Sequence, residues 1–391
     1  VMQAAFRRSL RVHAKMLRSA LAPDPAAPRG PARLARLAAL MPPYLAVQTM
    51  HWAGFALDEL LYAGYRGVRV DQPLFVLGIP RSGTTFVHRT LAADPAFTTL
   101  STWEAVLAPS ITERRVWLAL AQVDDRLGRP ASRLLNRFVR RLAGDFDDIH
   151  GVDLTAAEED YLALIPAAGC FLLALGFPAS KDLWGLATFD ETLDDADRSI
   201  LLDFYHALLQ KHLYVHGPGR RILSKNAAFA SWAPALAARY PEARFLVCVR
   251  DPVRAISSQL SSITAARAVF ASDPAGTAFP PRFQAIYRSG LRALRQAIQT
   301  EPARFAAVDM TELQRRPGAT LRKALRHVGE TVSTQLSQAL TGADRQAADY
   351  RSAHAHQIDH FKLDRQAIRR EMQDDYDAIR ASAEARWQEV S

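Results

Sequence analysis

The fold is decided by the stretch Leu74-Phe75-Val76-Leu77-Gly78-Ile79-Pro80-Arg81-Ser82-Gly83-Thr84-Thr85-Phe86. An apolar run typical of a buried strand leads into a short segment of glycine and hydroxyl residues, and a helical pattern follows it. Backbone N–H groups at a helix N-terminus point outward without partners and carry partial positive charge. The segment from Arg81 to Thr85 therefore predicts an anion-binding loop of main-chain N–H groups, two Thr hydroxyls and one guanidinium.

This loop differs at one decisive residue from the loop that binds ATP and GTP. That loop, G-x-x-x-x-G-K-[ST], has a lysine directly after its second glycine. Gly78 and Gly83 have the correct separation here, but Thr84 follows them. The missing lysine argues against a nucleotide kinase or an NTPase.

A second apolar run, from Arg244 to Val249, ends in Arg250-Asp251-Pro252. Asp251 could be a magnesium ligand at the end of a strand, but Arg250 directly before it favours a phosphate ligand. The strand candidates are Leu74 to Ile79, Arg221 to Ser224, Phe245 to Val249, and Arg304 to Val308. Helical patterns lie between them, which predicts a parallel sheet covered on both faces. Ligands of such sheets bind beyond the carboxyl ends of the strands, where both motifs would lie.

The chain is predicted to have one α/β domain with helical additions. We expect an N-terminal helical extension over residues 1–72, the α/β domain over 73–330, and a C-terminal helical segment over 331–391 that packs on the core. Pro23 to Pro31 is typical of a linker. Long helical patterns include Glu104 to Leu142 and Ala196 to Val215, and Leu34 to Leu61 is also expected to be mainly helical.

Composition limits the classes of function. The 391 residues carry a net charge of +9, which suits an anionic ligand, but the basic residues are spread along the chain and no nucleic-acid motif is present. The two cysteines lie in apolar runs, which predicts free buried thiols and a cytoplasmic protein. The basic N-terminal helix is expected to pack on the domain, and weak contact of that helix with a membrane surface is the alternative. No membrane span is predicted.

The two motifs together resemble the sulfotransferases that use 3′-phosphoadenosine 5′-phosphosulfate (PAPS). Pro80 to Thr85 match that family's P-[KR]-[ST]-G-[ST]-[ST] loop, and Arg250 and Ser258 match its Arg and Ser eight residues apart. Lys225-Asn226 is similar to the family's K-[SDN]-P segment, although Ala227 replaces the proline, and Phe305 to Gly329 resembles a later strand and helix. The resemblance implies the three-layer α/β/α fold of P-loop-containing nucleoside triphosphate hydrolases, with a central parallel sheet. It also implies transfer of sulfate from PAPS without a metal.

The resemblance assigns roles to individual residues. The loop and its neighbours would hold the 5′-phosphosulfate through Arg81, Ser82, Gly83, Thr84, Thr85 and Phe86, while Arg250 and Ser258 would hold the 3′-phosphate. Arg81 is the first choice for the cation at the leaving oxygen and Lys225 the second.

Glu104 is the expected general base, because tyrosylprotein sulfotransferases and some bacterial relatives place a catalytic Glu at a similar interval after the loop. Trp103, Val106 and Leu107 are expected to desolvate Glu104 and raise its pKa. The alternative is a carboxylate that caps the next helix. The cytosolic branch of the family uses a His, for which His150 and His88 are the candidates; Trp103 and His150 are also candidate acceptor contacts.

The acceptor stays open. The apolar region between Glu104 and Leu223 is expected to form its wall, and a small-molecule, lipid, carbohydrate or peptide hydroxyl fits equally, with an amine less favoured. His354, His356 and His360 have spacings that suit metal ligands, but surface or acceptor-contacting histidines are favoured. Glu158-Glu159-Asp160 is expected to begin a solvated helix. Arg351 is a weak candidate for the cofactor site.

Overall fold

Five parallel strands form the central sheet of the computed structural model, which describes residues 1–22, 24–130, 133–134, 156–217, 219–349 and 363–385. They are β1 (Leu74–Gly78), β2 (Phe97–Thr98), β3 (Arg221–Asn226), β4 (Arg244–Val249) and β5 (Phe305–Asp309), in the order β2-β3-β1-β4-β5. Val76 pairs with Lys225 on one side of β1 and with Leu246 on the other. All carboxyl ends of the strands therefore meet at one edge, with the β1 end at the centre.

Helices surround this sheet. The α-helices are α1 (Met2–Ala20), α2 (Pro31–Leu61), α3 (Thr84–Leu91), α4 (Thr102–Leu107), α5 (Ile111–Arg126), α6 (Leu173–Gly176), α7 (Lys181–Gly185), α8 (Phe189–Thr192), α9 (Asp195–His216), α10 (Ala233–Arg239), α11 (Pro252–Ser262), α12 (Thr264–Phe270), α13 (Phe279–Thr300), α14 (Met310–Arg315), α15 (Pro317–His327), α16 (Thr334–Asp349) and α17 (Arg365–Ala385). Shorter 3₁₀ helices span Ala63–Gly67, Asp160–Ala167, Leu186–Thr188 and Ala227–Trp232.

Alternate strand residues enter two separate cores. Phe75 and Leu77 of β1 pack with the larger cluster, which includes residues of α1, α2, α9, α13 and α17. Leu74 and Val76 pack with the smaller one, which includes residues of α3, α14, α15 and α16. A parallel sheet buried on both faces needs continuous apolar strands, and this is the pattern that β1 and β4 show. The predicted three-layer α/β/α arrangement is confirmed.

Local predictions were confirmed in part. All four predicted strands are present, and α9 matches the helical pattern from Ala196 to Val215. The single helix predicted from Glu104 is wrong, because α4 ends at Leu107 and α5 begins at Ile111. Pro109 lies in the break, and the Ser110 hydroxyl caps α5 by accepting a hydrogen bond from the Glu113 N–H. The pattern beyond Pro130 falls almost wholly outside the described residues.

The N-terminal helix α1 uses its apolar side in the core. Val12 and Met16 are buried, and the Arg8 Nη1 group donates to the Ala167 carbonyl at 2.6 Å. Arg11 pairs with Asp197 on α9. The buried apolar side chains and these two arginine contacts hold α1 against the rest of the protein. Across the described residues, no helix has both the length and the apolar character that crossing a bilayer requires.

Candidate functional site

The loop between β1 and α3 makes a tight turn at the centre of the sheet edge. A Cβ atom on Gly78 would lie 2.2 Å from the Cys248 carbonyl oxygen, so only glycine lets β1 approach β4 at this point. Gly83 has φ +90°, and a Cβ there would lie 2.8 Å from the Met310 sulfur. The Ser82 hydroxyl donates to the Ile79 carbonyl at 2.6 Å and closes the turn. The N-terminal N–H groups of α3 begin directly after it.

Both predicted anion motifs converge on Arg81. Its Nε donates to the Ser258 hydroxyl at 3.1 Å, and Arg250 Nη1 donates to the Arg81 carbonyl at 3.1 Å. Burial lowers the pKa of Arg250, and the charges of Arg81 and Arg254 lower it further. Three arginines thus crowd one corner of the sheet edge, which favours binding of a multiply charged anion.

An arginine-rich cavity of about 520 Å³ adjoins this corner. It lies where β4 and β5 end, and its lining includes Arg250, Arg254, Arg365 and Arg369. The last two come from the first turns of α17, and sequence reasoning did not single them out. Their i, i+4 spacing places them on one side of a helix, but nothing local indicates that α17 returns to the end of β4.

Asp251 has a structural role in this region. Its carboxylate accepts the backbone N–H of Arg254 at 2.9 Å and so caps α11. An N-terminal cap stabilises a helix by about 1 kcal/mol. This cap accounts for the acidic residue that follows Arg250.

Lys225 lies at the end of β3, beside β1. Its side chain is 2% exposed, and its Nζ lies 2.8 Å from Glu159 Oε1 and 3.5 Å from Glu158 Oε1. The Tyr161 N–H donates to the Asn226 side chain at 3.0 Å, which ties the segment after these carboxylates to the strand end. Sequence analysis did not predict that Glu158 and Glu159 flank Lys225, since the contact joins residues far apart in the chain.

The expectation of a solvated helix at Glu158-Glu159-Asp160 is wrong. Asp160 is fully buried and accepts a hydrogen bond from the Tyr205 hydroxyl at 2.7 Å. Burial raises the pKa of Asp160 to about 6. Glu158 and Glu159 are half-buried, because both side chains turn toward Lys225.

Glu104 lies in a different environment from the one expected. It is 3% exposed, and its Oε2 accepts hydrogen bonds from the Ser101 N–H at 2.9 Å and the Ser101 hydroxyl at 2.6 Å. Its Oε1 is 2.5 Å from His216 Nε2 and 3.8 Å from Arg114 Nε. Burial alone would raise the pKa of Glu104, but the His216 hydrogen bond and the Arg114 charge together hold it well below its usual range. The expected rise in this pKa is therefore wrong.

Glu104, His212 and His216 bring three ligand-type atoms within 4.8 Å of one another. Arg114 Nη1 lies 3.2 Å from His212 Nδ1, the atom that a metal ion would need. A buried guanidinium at that point opposes a second cation. The cluster is best described as an ion pair with two histidines around it.

The other predicted site residues divide into three groups. His88 is buried with its Nε2 2.7 Å from the Thr99 hydroxyl, and burial together with the Lys225 charge lowers its pKa to about 3, so it is neutral. Phe86 is exposed beside the loop and Trp103 is partly exposed. His150, Arg351, His354, His356 and His360 lie outside the described residues.

Comparison with known proteins gives a consistent result. A family model described as "Sulfotransferase family" matches residues 73–335. The solved structure of sulfotransferase STF9 from Mycobacterium avium is similar over 85% of this chain and 82% of that one, with 19% identity and a TM-score of 0.64. Sulfotransferase STF1 from Mycobacterium tuberculosis H37Rv is similar over 82% and 81%, with 20% identity and a TM-score of 0.58. Among curated proteins, none matches.

Proposed function

The chain belongs to the sulfotransferase family, and we propose that it transfers a sulfuryl group from PAPS to an acceptor hydroxyl or, less favoured, an amine. One observation carries the choice of donor. Arg81 in the β1–α3 loop, Ser258 on α11 and Arg250 at the end of β4 are joined by two hydrogen bonds. A donor with two separated phosphate-like groups suits two anion motifs at neighbouring strand ends.

The proposed cofactor lies along the edge of the sheet. Loop N–H groups and the hydroxyls of Thr84 and Thr85 hold the 5′-phosphosulfate, and Arg250 with Ser258 holds the 3′-phosphate. The cavity of about 520 Å³ beside Arg250 offers further guanidinium groups to the 3′-phosphate end. We assign Phe86, which is exposed, to a stacking contact with the adenine.

Sulfuryl transfer needs little covalent help from the protein. The acceptor oxygen forms a bond to sulfur while the bond from sulfur to the bridging phosphate oxygen breaks, and negative charge grows on that oxygen. Arg81 is the proposed partner of the leaving oxygen, because its side chain is already oriented by Ser258. Lys225 is the second cation, held by Glu159 at the neighbouring strand end.

The acceptor must lose a proton as the new bond forms. We place this proton on Glu158 or Glu159, because both carboxylates lie beside Lys225 and both are partly exposed. Glu104, the base expected from the resemblance, is surrounded by donors that stabilise its ionised form and leave little of it accessible. Access separates the candidates, because Glu158 and Glu159 also face a cation, Lys225, but their side chains reach solvent and that of Glu104 does not.

Two other functions are outcomes of the test. A nucleotide kinase or NTPase would prefer ATP or GTP with magnesium, and a nucleotide-binding module would bind without turnover. The free buried thiols of Cys170 and Cys248 suit the reducing cytoplasm, where we place the reaction. The acceptor class is left open in this proposal.

Isothermal titration calorimetry with 3′-phosphoadenosine 5′-phosphate (PAP), ATP and GTP tests the donor. We expect PAP to bind without magnesium and Arg250→Ala to weaken it at least tenfold, since a charge-assisted hydrogen bond to phosphate is worth about 1.5–3 kcal/mol. Arg239→Ala, which removes an arginine paired with Asp203 away from the sheet edge, is the matched control and should bind as the wild type does. Magnesium-dependent ATP binding without PAP binding would overturn the proposal.

A further inference from the structure

Helix α2 exposes an apolar surface that nothing in the described structure covers. No Asp, Glu, Lys or Arg lies between Arg36 and Asp58. The exposed large side chains along this part of the helix are Leu40, Leu45, Met50 and Leu57. Ala46, Thr49, Ala53 and Ala56 are exposed between them, so the outward side of the helix carries no charge over this whole length.

Helix α5, which packs against α2, is apolar as well. The stretch from Val116 to Val123 is also without charge, and its exposed large side chains include Val116, Trp117, Leu120 and Val123. The two helices are joined where His51 Nδ1 lies 2.6 Å from Glu113 Oε1 and where Gly54 packs against Ser110. We call the eight side chains Leu40, Leu45, Met50, Leu57, Val116, Trp117, Leu120 and Val123 the apolar face.

Arginines stand at the borders of the apolar face. Arg36 precedes its first residue on α2, Arg115 precedes its first residue on α5, and Arg126 follows its last; all three are exposed. The Arg115 guanidinium lies 4.4 Å from the centre of the Tyr62 ring at the end of α2. Two acidic residues precede Arg126: Asp124 is buried, and Asp125 is paired with Arg129. An uncharged surface that carries Trp117 and has arginines at its borders suits contact with a lipid interface, where Trp and basic side chains are enriched.

We propose that the apolar face docks on an anionic lipid surface. Apolar side chains of this size and number in contact with water mark an interaction site. A second copy of this chain is the less suitable occupant, because a two-fold pairing would bring equal sets of arginines together on chains that each carry +9. Anionic headgroups would instead pair with the arginines, while the side chains of the apolar face enter the acyl region.

The proposed docking site lies on α2 and α5 and not on the basic N-terminal helix α1. The apolar side of α1 is occupied, since Val12 and Met16 are buried in the core. Val332 is exposed between α15 and α16, which pack on the other face of the sheet from α1 and α2. Val332→Glu is therefore the matched control for Met50→Glu/Leu120→Glu, because it also adds a carboxylate at an exposed apolar position.

Vesicle co-sedimentation tests the proposal. The full chain is expected to sediment with phosphatidylglycerol vesicles and much less with phosphatidylcholine vesicles. Met50→Glu/Leu120→Glu should weaken that binding about tenfold or more, because two side chains no longer enter the acyl region. Val332→Glu should bind as the wild type does. Circular dichroism and thermal melting confirm that the variants are folded.

Three results would overturn the proposal. The first is no sedimentation of the wild type with either vesicle, and the second is an equal loss in Val332→Glu. The third is a dimer in light scattering that Met50→Glu/Leu120→Glu dissociates, which would assign the face to a second copy. Hydrogen–deuterium exchange of the wild type provides a measurement without variants: vesicles should protect peptides of α2 and α5, and unchanged exchange there counts against the proposal.

Discussion

Glu104→Gln is expected to lower the stability of the folded protein markedly and to slow sulfuryl transfer only slightly. The carboxylate now accepts hydrogen bonds from Ser101 and His216 and lies 3.8 Å from the buried Arg114. Glutamine keeps the volume but has one acceptor oxygen and no charge. The NH₂ group of the glutamine amide would therefore face hydrogen-bond donors that need an acceptor. Arg114 would also lose its nearest anion.

The expected loss in the free energy of unfolding follows from these contacts. A charge-assisted hydrogen bond contributes about 1.5–3 kcal/mol, and removal of one partner of a buried ion pair costs about 3–5 kcal/mol. Because Arg114 is at 3.8 Å and the amide oxygen still accepts a bond, we expect a loss of about 3 kcal/mol. With an unfolding entropy of about 2.1 cal/mol/K per residue, this loss lowers the Tm of the 391-residue chain by about 4 °C.

The effect has a defined pH dependence. The folded-state pKa of Glu104 is lowered, so its charge adds stability above the unfolded pKa of about 4.3, and that contribution disappears as pH falls toward the folded pKa. Urea unfolding should show a constant gap between wild type and Glu104→Gln above about pH 5 and a smaller gap below about pH 4.

Transfer from labelled PAPS supplies the second readout. Glu159→Gln or Glu158→Gln should lower kcat by about 10²-fold or more with PAP binding retained, while Glu104→Gln should lose less than tenfold at a temperature where it is folded. The opposite result would refute the reasoning: unchanged stability of Glu104→Gln together with a 10²-fold or larger loss of kcat would make Glu104 the base.

Two further substitutions test the described geometry. Gly83→Ala should lower stability by about 1–3 kcal/mol and weaken PAP binding, because Gly83 has φ +90° and a Cβ would meet the Met310 sulfur; Gly67→Ala, with open space around it, is the control in thermal melting and calorimetry. Asp58→Asn should destabilise by about 3–5 kcal/mol in urea unfolding, since it leaves the buried Lys211 ammonium without the carboxylate 2.9 Å away. A change of less than about 1 kcal/mol, typical of an exposed pair, would mean that Lys211 is neutral when buried.

The predictions that held depend on local signals. The β1 strand, the loop after it and α3 are contiguous, so apolar runs, glycines and hydroxyls describe them without reference to the rest of the chain. The break between α4 and α5 had a local signal as well, because Ser110 and Glu113 form an S-x-x-E capping box directly after Pro109. The two-residue strand β2 has no such signal, since its length is too short for a pattern.

The remaining site features come from contacts between distant segments. Glu159 is predicted from its neighbours to be a solvated residue, and only the fold brings it to Lys225. Glu104 was expected to be desolvated by apolar neighbours, which it is, but His216 and Arg114 arrive from other helices and reverse the direction of the pKa shift. Burial can be inferred from sequence more readily than the charges that accompany it.

The crowding of Arg81, Arg250 and Arg254 has a practical consequence for handling the protein. Like charges held close together in a partly buried corner oppose folding until an anion arrives, and their repulsion adds to the effect of burial in lowering the pKa of Arg250. Any small polyanion that binds there stabilises the fold in proportion to the logarithm of its concentration. A phosphate or sulfate buffer would therefore raise the melting temperature and compete with the nucleotide for this corner. In a chloride buffer, the melting temperature would be lower and the apparent affinity for the nucleotide would be higher.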